Sequence, residues 1–319
     1  MMTTEENLVV PMTKKQRKLL SMSQLKNPKT LKKMTPWLFL IPSIIVLGTF
    51  FIIPILEAFL WSIQDYKIIA GTGEFVWFEN FQYIFSDPKF WNALKNTFLF
   101  LIFILPLNVF LPMVLAVLVN QQIRGAKAFR ILYYLPVITP MVVAALMWKS
   151  MYAQGGMISN ALLSLGIFDS PTNLLTSSST ALFAVAAITV WKGLGYYMII
   201  YLAGLQSIPR DVYESSSIDG ATPFQQFRKI TVPMLIPSVT LVSVMTIIAG
   251  MKIFEEIQLT TGGGPAGATS TLVMYIYDNF KQLDVSVASA AGLVLLVLAI
   301  GASLLQMKLT SNREEDLRG

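Results

Sequence analysis

Residues 206–237 read QSIPRDVYESSSIDGATPFQQFRKITVPMLIP, a polar stretch between two long apolar segments. The pattern predicts two short helices separated by a sharp turn. Asp219-Gly220 ends the first helix, because glycine adopts the left-handed cap conformation that other residues resist. Thr222 and Pro223 begin the second helix as its cap and its first residue. A helix–turn–helix in this position is either a docking surface for a partner or an amphipathic connector lying on a membrane.

The side chains of the two helices are compatible with both interpretations. The first helix has Pro209 in its first turn, with Asp211 and Glu214 near the positive end, where negative charge is favourable. The three serines that follow make this helix slim. Phe224 and Phe227 are three residues apart and give the second helix an apolar stripe. A slim helix with exposed apolar groups suits docking, whereas an amphipathic stripe also suits the membrane surface.

Charge-free stretches of membrane-spanning length occur six times along the chain. A bilayer core requires about 20 apolar residues per helix. The chain is 54% hydrophobic and only 13% charged, whereas a soluble domain is about 25% charged. We therefore predict an all-α integral membrane protein with six transmembrane helices, over residues 34–56, 96–123, 131–148, 170–191 (continuing without acidic residues past Lys192 to 209), 230–251 and 285–307.

Lysine and arginine are distributed unevenly between the segments that join these helices. Seventeen of the 24 lie in the N-terminal tail, in alternate connections and after the last helix, and only three lie in the other connections. Since positive residues are retained on the cytosolic side, both termini are predicted to be inside. We expect a basic cytosolic tail over residues 1–35, partly disordered or forming an interfacial helix, a transmembrane domain over 36–310 and a cytosolic tail over 311–319.

The chain contains neither cysteine nor histidine. Disulfides, thiolate nucleophiles, Cys/His zinc sites and Ser-His-Asp triads are therefore excluded. The net charge of +6 reflects membrane topology rather than a basic groove, so no nucleic-acid partner is expected. No convergent acid, base or metal-binding groups are visible at either membrane face. We predict a non-enzymatic protein without a catalytic or metal site.

The helix–turn–helix carries a specific resemblance. It resembles the EAA loop of permeases from bacterial binding-protein-dependent ABC importers at eight positions with fixed spacing, namely Glu214, Asp219, Gly220, Ala221, Phe227, Ile230, Pro233 and Pro237. Ser215 and Ser216 stand where that family has alanines, and Val232 stands where it has leucine. These replacements stay small or apolar, so the resemblance favours the docking interpretation of the loop.

A second resemblance lies in the connection after the fifth predicted helix. Thr261 is followed by a turn that cannot continue a helix, made of Gly262, Gly263, Gly264 and Pro265. With the Thr269–Leu272 run that follows, it is similar to the sugar-importer branch, which includes the maltose, multiple-sugar and glycerol-3-phosphate permeases. Three interpretations stay open for these four turn residues, namely an external gate, a contact with the binding protein and a plain turn.

The resemblance implies a type I ABC importer permease fold in the bacterial cytoplasmic membrane, moving a sugar or oligosaccharide inward by alternating access. The implied partners are a second permease subunit in a heterodimer, two ATPase subunits and an extracellular or periplasmic substrate-binding protein. ATP and Mg are bound by the ATPase subunits, and this chain has no cofactor. The residues that would couple it to the ATPases are Glu214, Ser215, Ser216, Asp219, Gly220, Ala221, Phe224 and Phe227.

Candidate residues of a substrate path lie within the apolar segments. A charge at mid-bilayer costs roughly 2.5–3.5 kcal/mol on insertion scales, so Lys192 is expected to face protein or water. Tyr196 is one turn away, with Trp191 and Tyr197 nearby, and aromatic rings with polar tips suit sugar rings. Tyrosines also form interfacial belts, and an amide such as Asn108 also bridges helices. Both interpretations stay open for this group.

Three other functions are weighed against the importer. An ion-coupled secondary transporter would require a coupling-ion site, yet four of the six predicted helices lack a deep carboxylate. A permease for a phosphorylated polyol such as glycerol-3-phosphate shares every motif described above. A channel would have no use for the EAA-like loop. The sugar importer is therefore the leading hypothesis, with the secondary transporter and the polyol permease as alternatives.

Overall fold

The computed structural model describes residues 28–120 and 125–318, and the chain divides into two compact units at Glu57-Ala58. Most of the predicted tail over residues 1–35, and Arg124, which contributed to the predicted orientation, lie outside the described residues. Within the described residues the protein is helical, apart from a two-stranded hairpin and irregular connections.

In the first unit, α1 (Pro28–Leu47) continues through a π-helical turn (Gly48–Ile52) into α2 (Ile53–Ser62), whose end belongs to the second unit. The segment Phe39–Ser62 is long and apolar enough to cross a membrane. Its large apolar side chains are exposed, as expected for side chains that are solvated by lipid. The span therefore lies further along the chain than the predicted 34–56, and residues 28–35 of the predicted tail are helical.

The remaining elements of the second unit follow one another along the chain, and most of the connections between them are short. In chain order they are β1 (Gln64–Lys67), β2 (Thr72–Phe75), α3 (Glu79–Ser86), α4 (Pro88–Asn120), α5 (Ala126–Ile138), α6 (Met141–Tyr152), α7 (Met157–Ser164), α8 (Ala181–Gln206), α9 (Arg210–Ile218), α10 (Pro223–Gln226), a π-helical turn (Phe227–Thr231), α11 (Val232–Met234), α12 (Ile236–Met251), α13 (Glu255–Thr260), α14 (Leu272–Lys281) and α15 (Val285–Arg318).

Two features differ from the prediction of an all-α protein with a cytosolic tail at each end. Strands β1 and β2 pair antiparallel, with Gln64 opposite Phe75 and Lys67 opposite Thr72. Helix α15 continues to Arg318, so residues 311–318 of the predicted cytosolic tail extend the last helix.

Four helical segments are continuous candidates for membrane spans, and they are Phe39–Ser62, Pro88–Asn120, Ala181–Gln206 and Val285–Thr310. Two further candidates are bent. One joins Ala128–Ile138 to Met141–Ser164 at 99°, and the other joins Pro223–Met234 to Ile236–Met251 at 65°. The described residues thus contain four spans, or up to six when each bent pair counts as one.

The predicted third helix over residues 131–148 is therefore wrong as a single straight element. Thr139 has φ −69° and ψ 125°, an extended conformation, and it is followed by Pro140. A residue before proline is disfavoured in the helical region, and proline has no amide hydrogen to continue the helical bonding. The break follows from Thr139 and Pro140. The prediction of one straight helix used only the length of the charge-free stretch and did not consider this pair.

The helices of the second unit pack around two apolar clusters. Helix α4 lies along α8 and α12, and α15 packs against α12 and α14. The first cluster includes Phe90, Phe100, Ile188, Ile257 and Leu272. The second cluster lies at the other end of α8 and includes Met113, Met198, Tyr201, Leu235 and Val242. The helix–turn–helix of residues 206–237 is attached to the second cluster through Ile208, Tyr213, Phe227, Val232 and Leu235.

Helix α8 approaches α5 most closely at Gly195. A Cβ atom added there would overlap the carbonyl group of Tyr133 and would lie 2.9 Å from the Cα atom of Tyr134. Small residues permit such backbone contacts between membrane helices, where the packing is not driven by exclusion of water. Gly195 therefore sets the spacing between α8 and the first half of the bent third span.

We expect Gly195→Ala to lower the thermal unfolding midpoint of the purified protein, because overpacking against backbone costs about 1–3 kcal/mol. The matched control is Gly292→Ala in α15, where no described atom lies within 4 Å of the added Cβ. The control should leave the midpoint unchanged or raise it, since alanine favours helix over glycine. Equal midpoints for the two variants would contradict this assignment.

Candidate functional site

The helix–turn–helix predicted from residues 206–237 is present in the structure. Helix α9 ends at Ile218 with Asp219 as its C-cap, and Gly220 follows with φ +79°, the left-handed conformation that was expected to require glycine. Pro209 is the cap of α9 and lies outside its first turn, with an extended backbone. No described atom lies within 4 Å of the Cβ position of Gly220, so its backbone conformation alone demands glycine there.

The second helix begins with a reciprocal cap. The Gln225 amide donates to Thr222 Oγ1 at 3.3 Å, and the Thr222 amide donates to Gln225 Oε1 at 2.8 Å. Pro223 is the first helical residue, as predicted. This capping box satisfies two helix-end amides and fixes where the chain resumes its helix after the turn. The threonine and proline were recognised from the sequence, and the role of Gln225 was not.

The predicted coupling residues divide between an exposed surface and an attachment to the core. Glu214, Asp219 and Phe224 are exposed, and the Phe224 side chain is 70% accessible. Phe227 is half-buried and packs against the second apolar cluster, so it does not share an exposed stripe with Phe224. The sequence analysis missed Ile218, which is 86% accessible at the end of α9.

This exposed surface of the helix–turn–helix is acidic and apolar. Within the described part of the chain, Glu214 and Asp219 form no ion pair. Ser215 is also exposed, while Ser216 and Ala221 are half-buried. A slim helix that presents carboxylates beside Ile218 and Phe224 suits a groove containing cations and apolar side chains.

Lys192 lies at the break in the third span. Its Nζ atom donates to the Thr139 carbonyl oxygen at 2.8 Å. That carbonyl follows the last residue of α5, at the negative end of the helix, where a cation is favourable. Helix α13 packs on both α6 and α8 nearby. Burial raises the pKa of Glu256 in α13, and the positive charge of Lys192 opposes this shift. The lysine thus faces protein, as predicted, and it stabilises an interrupted helix.

The other candidates around Lys192 separate into accessible and buried groups. Tyr196 is 42% accessible, and its ring centroid lies 5.5 Å from that of the buried Tyr197. Asn108 is buried against α8, where a Cβ added at Gly193 would lie 3.1 Å from Asn108 Oδ1. That oxygen has no hydrogen-bond partner among the described residues. Tyr197 and Asn108 therefore lie inside this subunit, in contrast to Tyr196.

Trp191 borders an apolar cavity of about 340 Å³ between α5 and α8. Its ring packs edge-on against that of Trp148, with centroids 5.5 Å apart. The other lining residues are Phe129, Leu132, Tyr133, Pro136 and Leu194. Trp191 thus packs against both halves of the bent third span, and Lys192 binds the break between them.

The loop that follows the glycine-rich turn of residues 262–265 is bound by side chains from α4. Asn96 Nδ2 donates to the carbonyl oxygens of Gly267 and Ser270, each at 2.9 Å, and Asn92 Nδ2 donates to Gly267 at 2.8 Å. The Thr269 hydroxyl donates to the Gly264 carbonyl at 2.7 Å. These asparagines are about 170 residues before the loop, and no local sequence signal identified them.

Two cavities adjoin this turn. The larger has a volume of about 850 Å³ and is lined by Gly262, Gly263 and Gly264 together with polar residues of α14. Tyr275 at its edge donates to Asp87 Oδ2 at 2.8 Å, and burial, followed by this bond, raises the pKa of Tyr275. The smaller cavity, of about 380 Å³, is lined by Gly264 and Pro265 with Lys149, Asn173, Leu175, Thr176, Thr260 and Thr261.

A metal role has no support in the described residues, where no three acidic side chains are grouped closely enough to hold an ion. The structure contains an exposed acidic and apolar surface on α9, a lysine-capped helix break and a glycine-rich turn. Helix α8 connects the first two, because Lys192 lies near its middle and its C-terminal end leads into α9.

Comparison with known proteins gives a consistent result. Residues 108–311 match the family described as binding-protein-dependent transport system inner membrane component. The lactose transport system permease protein LacF of Rhizobium radiobacter is 32% identical over 287 residues, covering 87% of this chain and 94% of that protein. The sn-glycerol-3-phosphate transport system permease protein UgpA of Yersinia pestis is 32% identical over 281 residues, with the same coverage.

A solved structure has the same fold. It is a chain of a bacterial ABC transporter involved in the import of the acidic polysaccharide alginate, with a TM-score of 0.77 and 25% identity. The match covers 89% of this chain and 98% of that chain. The type I importer permease fold implied by the EAA-like loop is therefore confirmed by structural similarity.

We expect Lys192→Met to reduce uptake several-fold in membranes containing the assembled transporter, without reducing the amount of the chain. The substitution leaves the Thr139 carbonyl without its donor, and an unpaired buried backbone group costs about 1–3 kcal/mol. Lys192→Arg keeps a charged donor and should retain more activity. Lys308→Met removes an exposed lysine and serves as the control. Wild-type transport kinetics in Lys192→Met would refute the assignment.

Proposed function

The chain belongs to the family of binding-protein-dependent transport inner membrane components, and from this premise we propose that it imports a sugar or oligosaccharide as the permease subunit of an ATP-driven transporter. It is a multi-pass protein of the inner membrane, and the ATPase activity lies in separate subunits. The observation that carries the proposal is the exposed α9 surface, which has the form of a docking element at the end of a long membrane helix.

We propose six spans with both termini in the cytosol. Counting each bent pair as one span supports six, and the excess of lysine and arginine in the N-terminal tail and alternate connections supports this orientation. In this arrangement residues 36–310 form the transmembrane domain. The tail of residues 1–35 and the C-terminal residues 311–319 lie in the cytosol. The helix–turn–helix lies on the cytosolic side, and the glycine-rich turn lies outside.

The cytosolic surface of α9 contacts an ATPase subunit. Ile218 and Phe224 are the exposed apolar groups of this surface, and Glu214 and Asp219 offer carboxylates to basic residues of the partner. Gly220 permits the turn that presents them. Ser215, Ser216 and Ala221 keep the helix slim, and Phe227 anchors the element to the membrane domain. The complex contains two such ATPases, which bind ATP and Mg, and a second permease subunit as heterodimer partner.

Transport proceeds by alternating access. ATP binding favours one arrangement of the ATPases, and α9 transmits that preference to the membrane helices because it is continuous, through a short connection, with α8. Lys192 and the break at Thr139 lie on α8 and its neighbour, so a shift of α8 reaches them directly. No chemical step occurs in this chain, and its role is to change which side of the membrane the path faces.

The cargo path includes Lys192, Tyr196 and Trp191, which are the accessible members of the group on α8. A cation and aromatic rings suit a hydroxylated ring, and they would also suit a phosphorylated polyol. Tyr197 and Asn108 support this surface from within the subunit. The lactose permease and the glycerol-3-phosphate permease are both similar to this chain, so the polyol is the second candidate cargo.

The turn formed by Gly262, Gly263, Gly264 and Pro265 contacts the external substrate-binding protein or closes the path on that side. Its support is the attachment of the following loop to α4 and the adjoining cavity of about 850 Å³. A rigid loop binds a partner with a smaller loss of conformational entropy than a flexible one.

The function is tested by reconstituting the chain in vesicles with its second permease, its ATPase and its binding protein. We expect uptake only when ATP is present on the side of the vesicle membrane that carries the ATPase. We also expect uptake to stop when the binding protein is left out. Lactose and glycerol-3-phosphate, offered separately as radiolabelled probes with the cognate binding protein, discriminate the two cargo classes. Uptake driven by an ion gradient in vesicles without the ATPase would establish the secondary transporter instead.

We expect Gly220→Pro to leave the complex assembled while ATP hydrolysis is uncoupled from uptake. Proline fixes φ near −65°, whereas Gly220 has φ +79°, so the turn that presents α9 cannot form. Gly220→Asn is the matched variant, because asparagine tolerates the left-handed conformation, and it should retain coupling. Both are measured as cargo transported per ATP hydrolysed in the same vesicles. Unchanged uptake in Gly220→Pro would contradict the proposed role of this turn in coupling.

A further inference from the structure

A hydrogen-bond network connects the two helices on either side of the Gly220 turn. The Gln226 side chain, at the end of α10, donates from Nε2 to Ser217 Oγ at 2.8 Å and to Ser216 Oγ at 3.0 Å. Both serines lie in the last turn of α9. Gln226 is thus the side chain that reaches back across the turn to the helix that precedes it.

The serine hydroxyls of this network donate as well as accept. Both donate to the Tyr213 carbonyl oxygen, at 2.9 Å and 2.8 Å, which lies within α9 and also receives the helical backbone amide four residues on. Each serine oxygen then accepts one of the two hydrogens of the Gln226 amide. The amide also lies 3.4 Å from the Tyr213 carbonyl, but it has no third hydrogen to donate there.

A second connection runs parallel to the first. The Tyr213 hydroxyl lies 2.9 Å from Thr231 Oγ1, and Thr231 is buried at the end of the π-helical turn that leads into α11. Tyr213 and Phe227 both pack against the second apolar cluster. The two connections therefore join α9 to the start of the fifth span.

These side chains matter because α9 has little other attachment. None of the described residues of α9 is fully buried, and its two ends are the short connections at Pro209 and Gly220. A glycine in a left-handed turn is a point where the backbone bends at low cost. Without a connection across the turn, a force applied to α9 would bend the chain at Gly220 before it moved α12.

We propose that Gln226 is a positioning residue that locks α9 to the start of the fifth span through Ser216 and Ser217, so that both helices move as one body. This inference rests on the proposed coupling function. The serine at position 216 stands where the resembling family has alanine, which has no hydroxyl to accept from an amide. The lock is therefore a feature of this chain, added to the docking surface that the resemblance implies.

The network itself is tested without transport. We would measure hydrogen exchange of the α9 backbone amides in the assembled complex for Gln226→Leu, for the double variant Ser216→Ala with Ser217→Ala, and for all three together. Exchange protection should fall about fivefold for each of the two hydrogen bonds lost. The triple variant should lose no more than the serine double variant, because without the serine hydroxyls Gln226 has no bond left to lose. Additive losses, or none, would overturn the network.

The effect on coupling is measured in the reconstituted vesicles. Gln226→Leu should raise the ATP consumed per cargo several-fold, with unchanged assembly of the complex, because α9 moves without moving α12. Ser216→Thr with Ser217→Thr keeps both hydroxyls and should retain the wild-type ratio. Gln206→Leu, an exposed glutamine at the end of α8, is the matched control.

The outcomes separate the lock from the function on which it rests. If wild-type uptake does not require the ATPase, the proposed function is wrong, while the exchange result still stands. If wild-type uptake is ATP-driven and Gln226→Leu keeps the wild-type ratio, the lock is overturned. Loss of assembly in Gln226→Leu, with the normal ratio in the complexes that remain, would show a merely structural role and would also overturn it.

Discussion

The structure depends on a requirement that backbone polar groups inside a bilayer find hydrogen-bond partners within the protein, and the bond from Lys192 to the Thr139 carbonyl meets it. In a bilayer no water is available to satisfy backbone groups, so each interruption of a helix requires a partner from the chain. Pro140 interrupts the third span and frees a carbonyl at a helix end. A lysine on the adjacent α8 satisfies it at 2.8 Å, and the charge that looked costly in the sequence is engaged with a helix end of opposite sign.

Side chains also complete the backbone of the other irregular segments. The loop after α13 exposes carbonyl groups at Gly267 and Ser270, and the Asn96 amide binds both of them. On the other side of the membrane domain, the turn at Gly220 leaves the end of α9 attached through Gln226 and the serines of that helix. At each position a side chain distant along the chain, or across a turn, completes what the local backbone cannot. The breaks are also the places where a transporter has to change shape.

These attachments connect the candidate sites through one helix, α8. Helix α8 carries Lys192 in its middle and leads, at its C-terminal end, into the docking helix α9. Gly195, one turn further on, holds α8 against the first half of the bent third span. A displacement of α9 therefore reaches the helix break through α8 and through α5, which packs against it. Proteins transmit such displacements through packed elements with discrete arrangements, and the proposed coupling between an ATPase and a path within the membrane relies on such an element.

The sequence by itself determined the apolar helices, the helix–turn–helix of residues 206–237 and its glycine at Gly220, because hydropathy, proline and glycine act over a few neighbouring residues. It also carried the resemblance that identified the family. The tertiary structure alone decided which side chains meet. The break at Thr139, the inward position of Phe227, the exposure of Ile218 and the bonds of Asn96 and Gln226 all depend on the packing of different elements. Residues 171 apart cannot be paired from local pattern, since their proximity is set by how whole helices pack.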